Sequence, residues 1–113
     1  MNIEESIKRQ IEENPIILYM KGTPDEPYCG FSAKAADLLK STGVGFAYVN
    51  VIESPAVFQN LPAVSGWPTY PQLFVNGEII GGSDIVEEML ENGELLPLLR
   101  EAAARRDACN GQG

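Results

Sequence analysis

The 113-residue chain predicts an α/β fold, a four-stranded mixed sheet flanked by helices on both faces. Three observations lead there. Hydrophobic periodicity gives the element order α, β, α, β, α, β, β, α, α. The β-α-β unit in the N-terminal half requires a right-handed crossover, and so a parallel strand pair. Asn76-Gly77 between two apolar runs is a strong hairpin signal and adds an antiparallel pair. A chain of this length fills one core and leaves no room for a second domain.

Taken in order, Ile3, Ile7 and Ile11 recur at helical spacing, and Asn14-Pro15 ends that helix. Ile16 to Met20 is a short apolar run that reads as a fully buried strand. Gly22, Pro24 and Pro27 make Lys21 to Tyr28 a loop. Phe31, Ala35, Leu38 and Leu39 share one face of the next helix, with Gly43 as its stop. Gly45 to Val51 reads as the second strand. Ser54-Pro55 is a cap and first-turn pair for a short helix reaching about Leu61. Leu73-Phe74-Val75 and Glu78-Ile79-Ile80 form the hairpin. Ser83 caps a helix through Ile85, Val86, Met89 and Leu90, which Asn92-Gly93 ends. Leu95, Leu99, Ala102 and Ala103 carry the last helix. The domain is read as residues 1–107, with 108–113 as a flexible C-terminal tail.

Charge and composition narrow the function. The net charge is −8, and no basic cluster stands beyond Arg105-Arg106, which argues against a nucleic-acid partner. The apolar runs are too short to cross a bilayer. Two distant cysteines make no disulfide framework, as suits a reducing compartment. The N-terminal residues are acidic, without a basic segment followed by an apolar one. The expected location is the cytoplasm, although a processed organelle protein would read the same way.

The chemistry concentrates at Cys29-Gly30-Phe31-Ser32. This is a Cys-x-x-Cys redox pattern with serine in the fourth position, so no internal disulfide can close. Cys29 opens a helix behind a buried strand, where first-turn N–H groups and the helix dipole favour the thiolate. Lys21, at the end of the first strand, adds positive charge. Such a thiolate can attack a disulfide, take up a thiol or ligate a metal. A buried cysteine plugging the junction is the structural alternative, but the Gly- and Pro-rich loop before it argues for exposure.

Two further segments carry weaker signals. In Trp67-Pro68-Thr69-Tyr70-Pro71-Gln72 the residue before Pro71 is pushed to an extended conformation. A cis Tyr70–Pro71 bond would turn the Tyr70 backbone out to pair with an extended peptide; an ordinary proline-rich loop is the alternative. Gly81-Gly82-Ser83-Asp84 opens a helix whose N–H groups suit a carboxylate. A plain turn and cap is the commoner use of such a sequence.

Together these segments, with Met20-Lys21-Gly22-Thr23-Pro24, resemble the monothiol glutaredoxins of the Cys-Gly-Phe-Ser class, from about Ile3 to Ala104. The resemblance implies a thioredoxin-like fold, Pro71 in cis, and glutathione in a groove beside Cys29. Lys21, position 58, Tyr70, Pro71, Gly82, Ser83 and Asp84 would line that groove. It further implies a [2Fe–2S] cluster bridging a homodimer through Cys29 and glutathione of each subunit. Delivery to apo Fe–S proteins and pairing with a BolA-type partner follow from the same resemblance. The alternative it leaves is a monothiol glutathione-dependent thiol–disulfide oxidoreductase, removing glutathione from protein mixed disulfides. The loop Thr23 to Tyr28 corresponds to an insertion of the class that sets bound glutathione poorly for turnover, which favours the carrier. Two positions depart from the pattern. Phe58 stands where the class carries an arginine that holds the glycyl carboxylate, leaving Lys21 or Gln59 to compensate. Ser83 stands where relatives often have cysteine. Cys109 reads as incidental.

Overall fold

The computed structural model describes residues 2–112, with side chains through Arg105. Five helices and four strands follow the expected order: α1 Ile3–Glu13, β1 Ile16–Met20, α2 Gly30–Ser41, β2 Ala47–Asn50, α3 Pro55–Ser65, β3 Gln72–Val75, β4 Glu78–Gly81, α4 Ser83–Glu91 and α5 Leu95–Gln112. The expected tail over 108–113, with Cys109, lies outside the residues whose side chains are described.

The strands form one sheet in the order β2-β1-β3-β4. β1 runs parallel to β2, with Leu18 opposite Tyr48. It runs antiparallel to β3, with Leu18 opposite Leu73. The β3–β4 hairpin turns on Asn76 and Gly77 at φ 52° and 82°, the left-handed pair that Asn-Gly sequences supply.

Alternation along the strands splits the core in two. Ile16, Leu18 and Met20 of β1, with Leu73 and Val75 of β3, pack under α2, α4 and α5. Ile17, Tyr19 and Phe74 face the other way, against Ile7 and Ile11 of α1 and Leu61 of α3. Because both faces are covered, β1 is buried along its whole length and reads as a continuous apolar run.

Three elements are bounded differently from the sequence reading. β2 begins at Ala47, not Gly45, because its only ladder partner is β1 and pairing starts at Ile17. It ends at Asn50, whose Oδ1 accepts N–H groups of Gly22 and Ile52 at 3.0 Å each and turns the chain away. α3 continues past Leu61 to Ser65 with Pro62 inside it, and stops at Gly66, φ 74°. Ser83 is the first helical residue of α4 and does not cap it; Gly82 holds the cap position in an extended conformation. Ser54 does stand at the cap of α3 with Pro55 in the first turn, but without a side-chain capping bond.

Candidate functional site

β1 delivers the chain to the site at Lys21, and the loop to Tyr28 is folded on itself. Thr23 and Glu26 exchange backbone bonds at 3.2 and 3.1 Å, and Tyr28 N–H donates to the Lys21 carbonyl at 3.0 Å. Gly22 makes this possible. Its φ is +95°, and a Cβ there would lie 2.5 Å from the Glu26 carbonyl oxygen, so no other residue fits the crossing. Lys40 of α2 ties the loop down from outside, donating to the Pro24 carbonyl at 2.9 Å and the Asp25 carboxylate at 3.0 Å.

Cys29 sits at the cap position of α2, in extended conformation and partly exposed. The backbone N–H of Ser32 is the main influence on its thiol, helped by that of Phe31, the charge of Lys21 and the Ser32 hydroxyl. Against a contrary push from partial burial, these hold the pKa below that of an ordinary cysteine. Ser32 is fully buried, and its Oγ accepts the Lys21 N–H at 3.0 Å. The serine thus joins the end of β1 to the first turn of α2 directly beneath the thiol.

The far wall is the segment before β3. Tyr70–Pro71 is cis, in agreement with the resemblance. Gln72, fully buried, donates its side-chain amide to the Trp67 and Thr69 carbonyls at 2.9 and 3.1 Å. The Tyr70 ring stacks on Phe58 at 5.2 Å between centroids, and its hydroxyl donates to the Phe58 carbonyl at 2.8 Å. That carbonyl is free because Pro62, four residues on, has no N–H to offer it. Burial pushes the Tyr70 phenol up to about 12, so it remains a donor at neutral pH. Backbone N–H and C=O of Tyr70 make no backbone hydrogen bond among the described residues.

α4 closes the third side. A Cβ on Gly82 would approach the Pro71 carbonyl oxygen to 3.3 Å, so the glycine lets the N-terminus of α4 come close to the Tyr70–Pro71 bond. Ser83 is buried. The Asp84 carboxylate faces solvent, 3.9 Å from Lys34 of α2, which pairs with Glu87 at 3.0 Å. What Asp84 offers the groove is therefore its backbone.

The resulting groove of about 500 Å³ is lined by Lys21, Cys29, Phe58, Tyr70, Pro71, Gly82, Ser83 and Asp84, as the sequence reading expects, whereas Gln59, offered there as a substitute for the arginine, is exposed and does not line it. Trp67, Pro68 and Thr69 of the segment before β3 also line it, as do Phe31, Pro62 and Ile85, which the sequence reading does not place there. Phe31 had been assigned to the inner face of α2, yet is 62% exposed beside the thiol. Its position two residues after a helix-capping cysteine was the available signal. Among the described residues no cluster of three or more Cys, Asp or Glu side chains is placed to hold a metal ion, and no helix is long and apolar enough to cross a membrane.

Comparison with known proteins agrees with this geometry. The glutaredoxin family model matches residues 16–80. Glutaredoxin 4 of Escherichia coli (strain K12) is 54% identical over 101 residues, covering 89% of this chain and 88% of that protein. The solution structure of reduced poplar apo GrxS14 superimposes with a TM-score of 0.76 at 37% identity, covering 90% of this chain and 94% of the other. A buckwheat glutaredoxin–glutathione complex gives 0.78 at 26% identity, covering 89% and 90%. With the thiol, the cis proline and the glycine-opened helix all converging on one groove, and serine in place of a second cysteine, the chain belongs to the glutaredoxin family as a monothiol member.

Proposed function

We propose that this glutaredoxin carries a [2Fe–2S] cluster as cargo, held between two copies of the chain by Cys29 and one glutathione from each. The observation that carries the reading is a single activated thiol at the mouth of a peptide-sized groove, with a buried serine as its neighbour. Among the residues whose side chains are described, each chain offers one thiol. Four thiolates complete such a cluster, so two chains and two small thiols make the set.

The residues divide the work by chemistry. The N-terminus of α4 at Gly82, Ser83 and Asp84 suits the γ-glutamyl carboxylate of glutathione. The unpaired backbone of Tyr70 suits its cysteinyl backbone, as an added strand. Lys21 lies beside the thiolates and balances their charge. The exposed aromatic rings of Tyr28 and Phe31 flank Cys29 and offer a second subunit apolar surface around the ligand. Recipients would be apo Fe–S proteins, and a BolA-type protein would replace one subunit in a mixed pair; the setting for both is the cytoplasm.

Anaerobic reconstitution with iron and sulfide, with and without glutathione, tests the reading. The expected result is a [2Fe–2S] absorbance and circular dichroism signal that requires glutathione, migrates as a dimer and disappears in Cys29→Ser. Failure to load cluster in the presence of glutathione would sink it.

The lowered Cys29 pKa supports a second reading. As an oxidoreductase, the Cys29 thiolate attacks the glutathione sulfur of a protein–glutathione disulfide and releases the protein thiolate. A second glutathione then regenerates Cys29 and leaves as glutathione disulfide. Turnover of a glutathionylated protein without iron would mark this activity.

A further inference from the structure

The groove is electrically lopsided. Of the residues that line it, Lys21 alone is basic and Asp84 alone is acidic. Lys21 already acts on the Cys29 thiolate. The wall opposite α4 is made by α3, whose sequence from Pro55 to Ser65 contains no ionisable side chain. It presents the half-exposed Phe58 ring stacked on Tyr70, with Pro62 beside it. The molecule as a whole carries a net charge of −8, which disfavours every additional negative charge brought to its surface.

A tripeptide thiol lying across Tyr70, with its sulfur at Cys29 and its γ-glutamyl carboxylate at α4, ends against this aromatic shelf. A free carboxylate there would meet an apolar ring in place of a cation, and would share Lys21 with the thiolate. Losing its hydration without a partner is unfavourable. We propose that the groove prefers a γ-glutamyl-cysteinyl tripeptide whose C-terminus is uncharged, and that Phe58 is the residue that sets this preference. The inference rests on the glutathione-type groove of the proposed function and specifies its ligand class.

The test is an exchange equilibrium. The Cys29 thiolate attacks a symmetrical disulfide; one S–S bond forms on the protein, one breaks, and one small thiolate leaves, with no net oxidation. With Cys109→Ser in every protein used, so that Cys29 is the one cysteine of the sequence, intact-protein mass reads the product. The two probes are glutathione disulfide and the disulfide of glutathione amidated at glycine. In the native chain the amide is expected to form its adduct at least as favourably as the acid. In Phe58→Arg a charged contact to the carboxylate becomes available, and the acid-to-amide ratio should rise about three- to ten-fold. A salt titration of the native chain supplies a measurement independent of any variant. The acid-to-amide ratio should not fall from low to high ionic strength, since Lys21 is engaged by the thiolate and salt also screens the repulsion of the acid by the net charge of −8. A native preference for the acid that fades with salt would overturn the proposal, as would a ratio unmoved by Phe58→Arg. If neither disulfide forms an adduct, the glutathione-type groove itself is wrong and both readings fall together.

Discussion

Cys29 draws its reactivity from an ordinary helix start. Two backbone N–H groups, Lys21 and the Ser32 hydroxyl all favour its thiolate, so the rate of alkylation by iodoacetamide should rise with pH around a midpoint below the roughly 8.5 of a free thiol. Lys21→Met should move that midpoint upward. Stability carries the same signature. The folded-state pKa is lowered, so the contribution is complete above the unfolded value and disappears as pH falls through the folded one. The difference in melting temperature between the native chain and Cys29→Ser should therefore widen from neutral to mildly alkaline pH. A flat difference would show that the N–H groups do not reach the sulfur. At this scale part of the site is legible in the residues themselves: spacing and neighbours mark Cys29 and Lys21, whereas Tyr70 and Gly82 are placed in the groove by the family resemblance. Phe31 was not legible, because its helical spacing from Ala35 and Leu38 matched a core face, and only its place at the mouth of the groove exposes it.

Among the elements, α3 is the least predictable and the most informative. A proline in a helix interior removes a backbone donor, and the sequence reading carries this helix only to about Leu61, one residue short of Pro62. The helix instead passes through, because the carbonyl that Pro62 orphans is answered by the Tyr70 hydroxyl at 2.8 Å. This partner is twelve residues from Phe58 in sequence, beyond the range of local pattern. Pro62→Ala should raise helix propensity while supplying an N–H that competes for the Phe58 carbonyl. Tyr70→Phe alone should lower stability by about 1 kcal/mol. In Pro62→Ala the same change should matter less, giving a coupling energy of about 0.5–1 kcal/mol in a denaturant-unfolding double-mutant cycle. Strict additivity would mean that the two residues do not share that carbonyl. The N-terminus of α4 was misread by one residue for a related reason: two consecutive glycines allow the chain to stay extended through Gly82 before the helix starts.

For the whole molecule, the mixed sheet with helices on both faces is legible in the pattern of a buried β1, a single crossover and an Asn-Gly hairpin, whereas the strand order β2-β1-β3-β4 is not. The side-chain bonds that lock the layers together were not visible in advance. Tyr19 donates to Gln10 of α1 at 2.6 Å, and burial raises its phenol well above the ordinary tyrosine value. Tyr70 is also raised, to about 12. Both groups are held neutral in the fold, so their contribution is complete below the unfolded value of about 10 and is lost as pH rises through the folded one. Alkaline unfolding should begin above about pH 10, with ultraviolet phenolate absorbance appearing together with loss of helix signal. Tyr19→Phe should blunt that pH dependence. Tyrosine ionisation that fully precedes unfolding would contradict the burial.

Ser32 is easily seen as a cysteine that is missing, but its hydroxyl is a strut between strand and helix, buried and occupied by the Lys21 amide. Exchanging its oxygen for sulfur would put a larger atom and a poorer acceptor at a fully buried position. The route from this protein to a self-sufficient two-thiol catalyst is consequently longer than one substitution, because the junction under the active thiol would have to be rebuilt as well. On the proposed function, the thiol that partners Cys29 comes from outside this junction, because the position three residues on is taken up by a buried hydrogen bond.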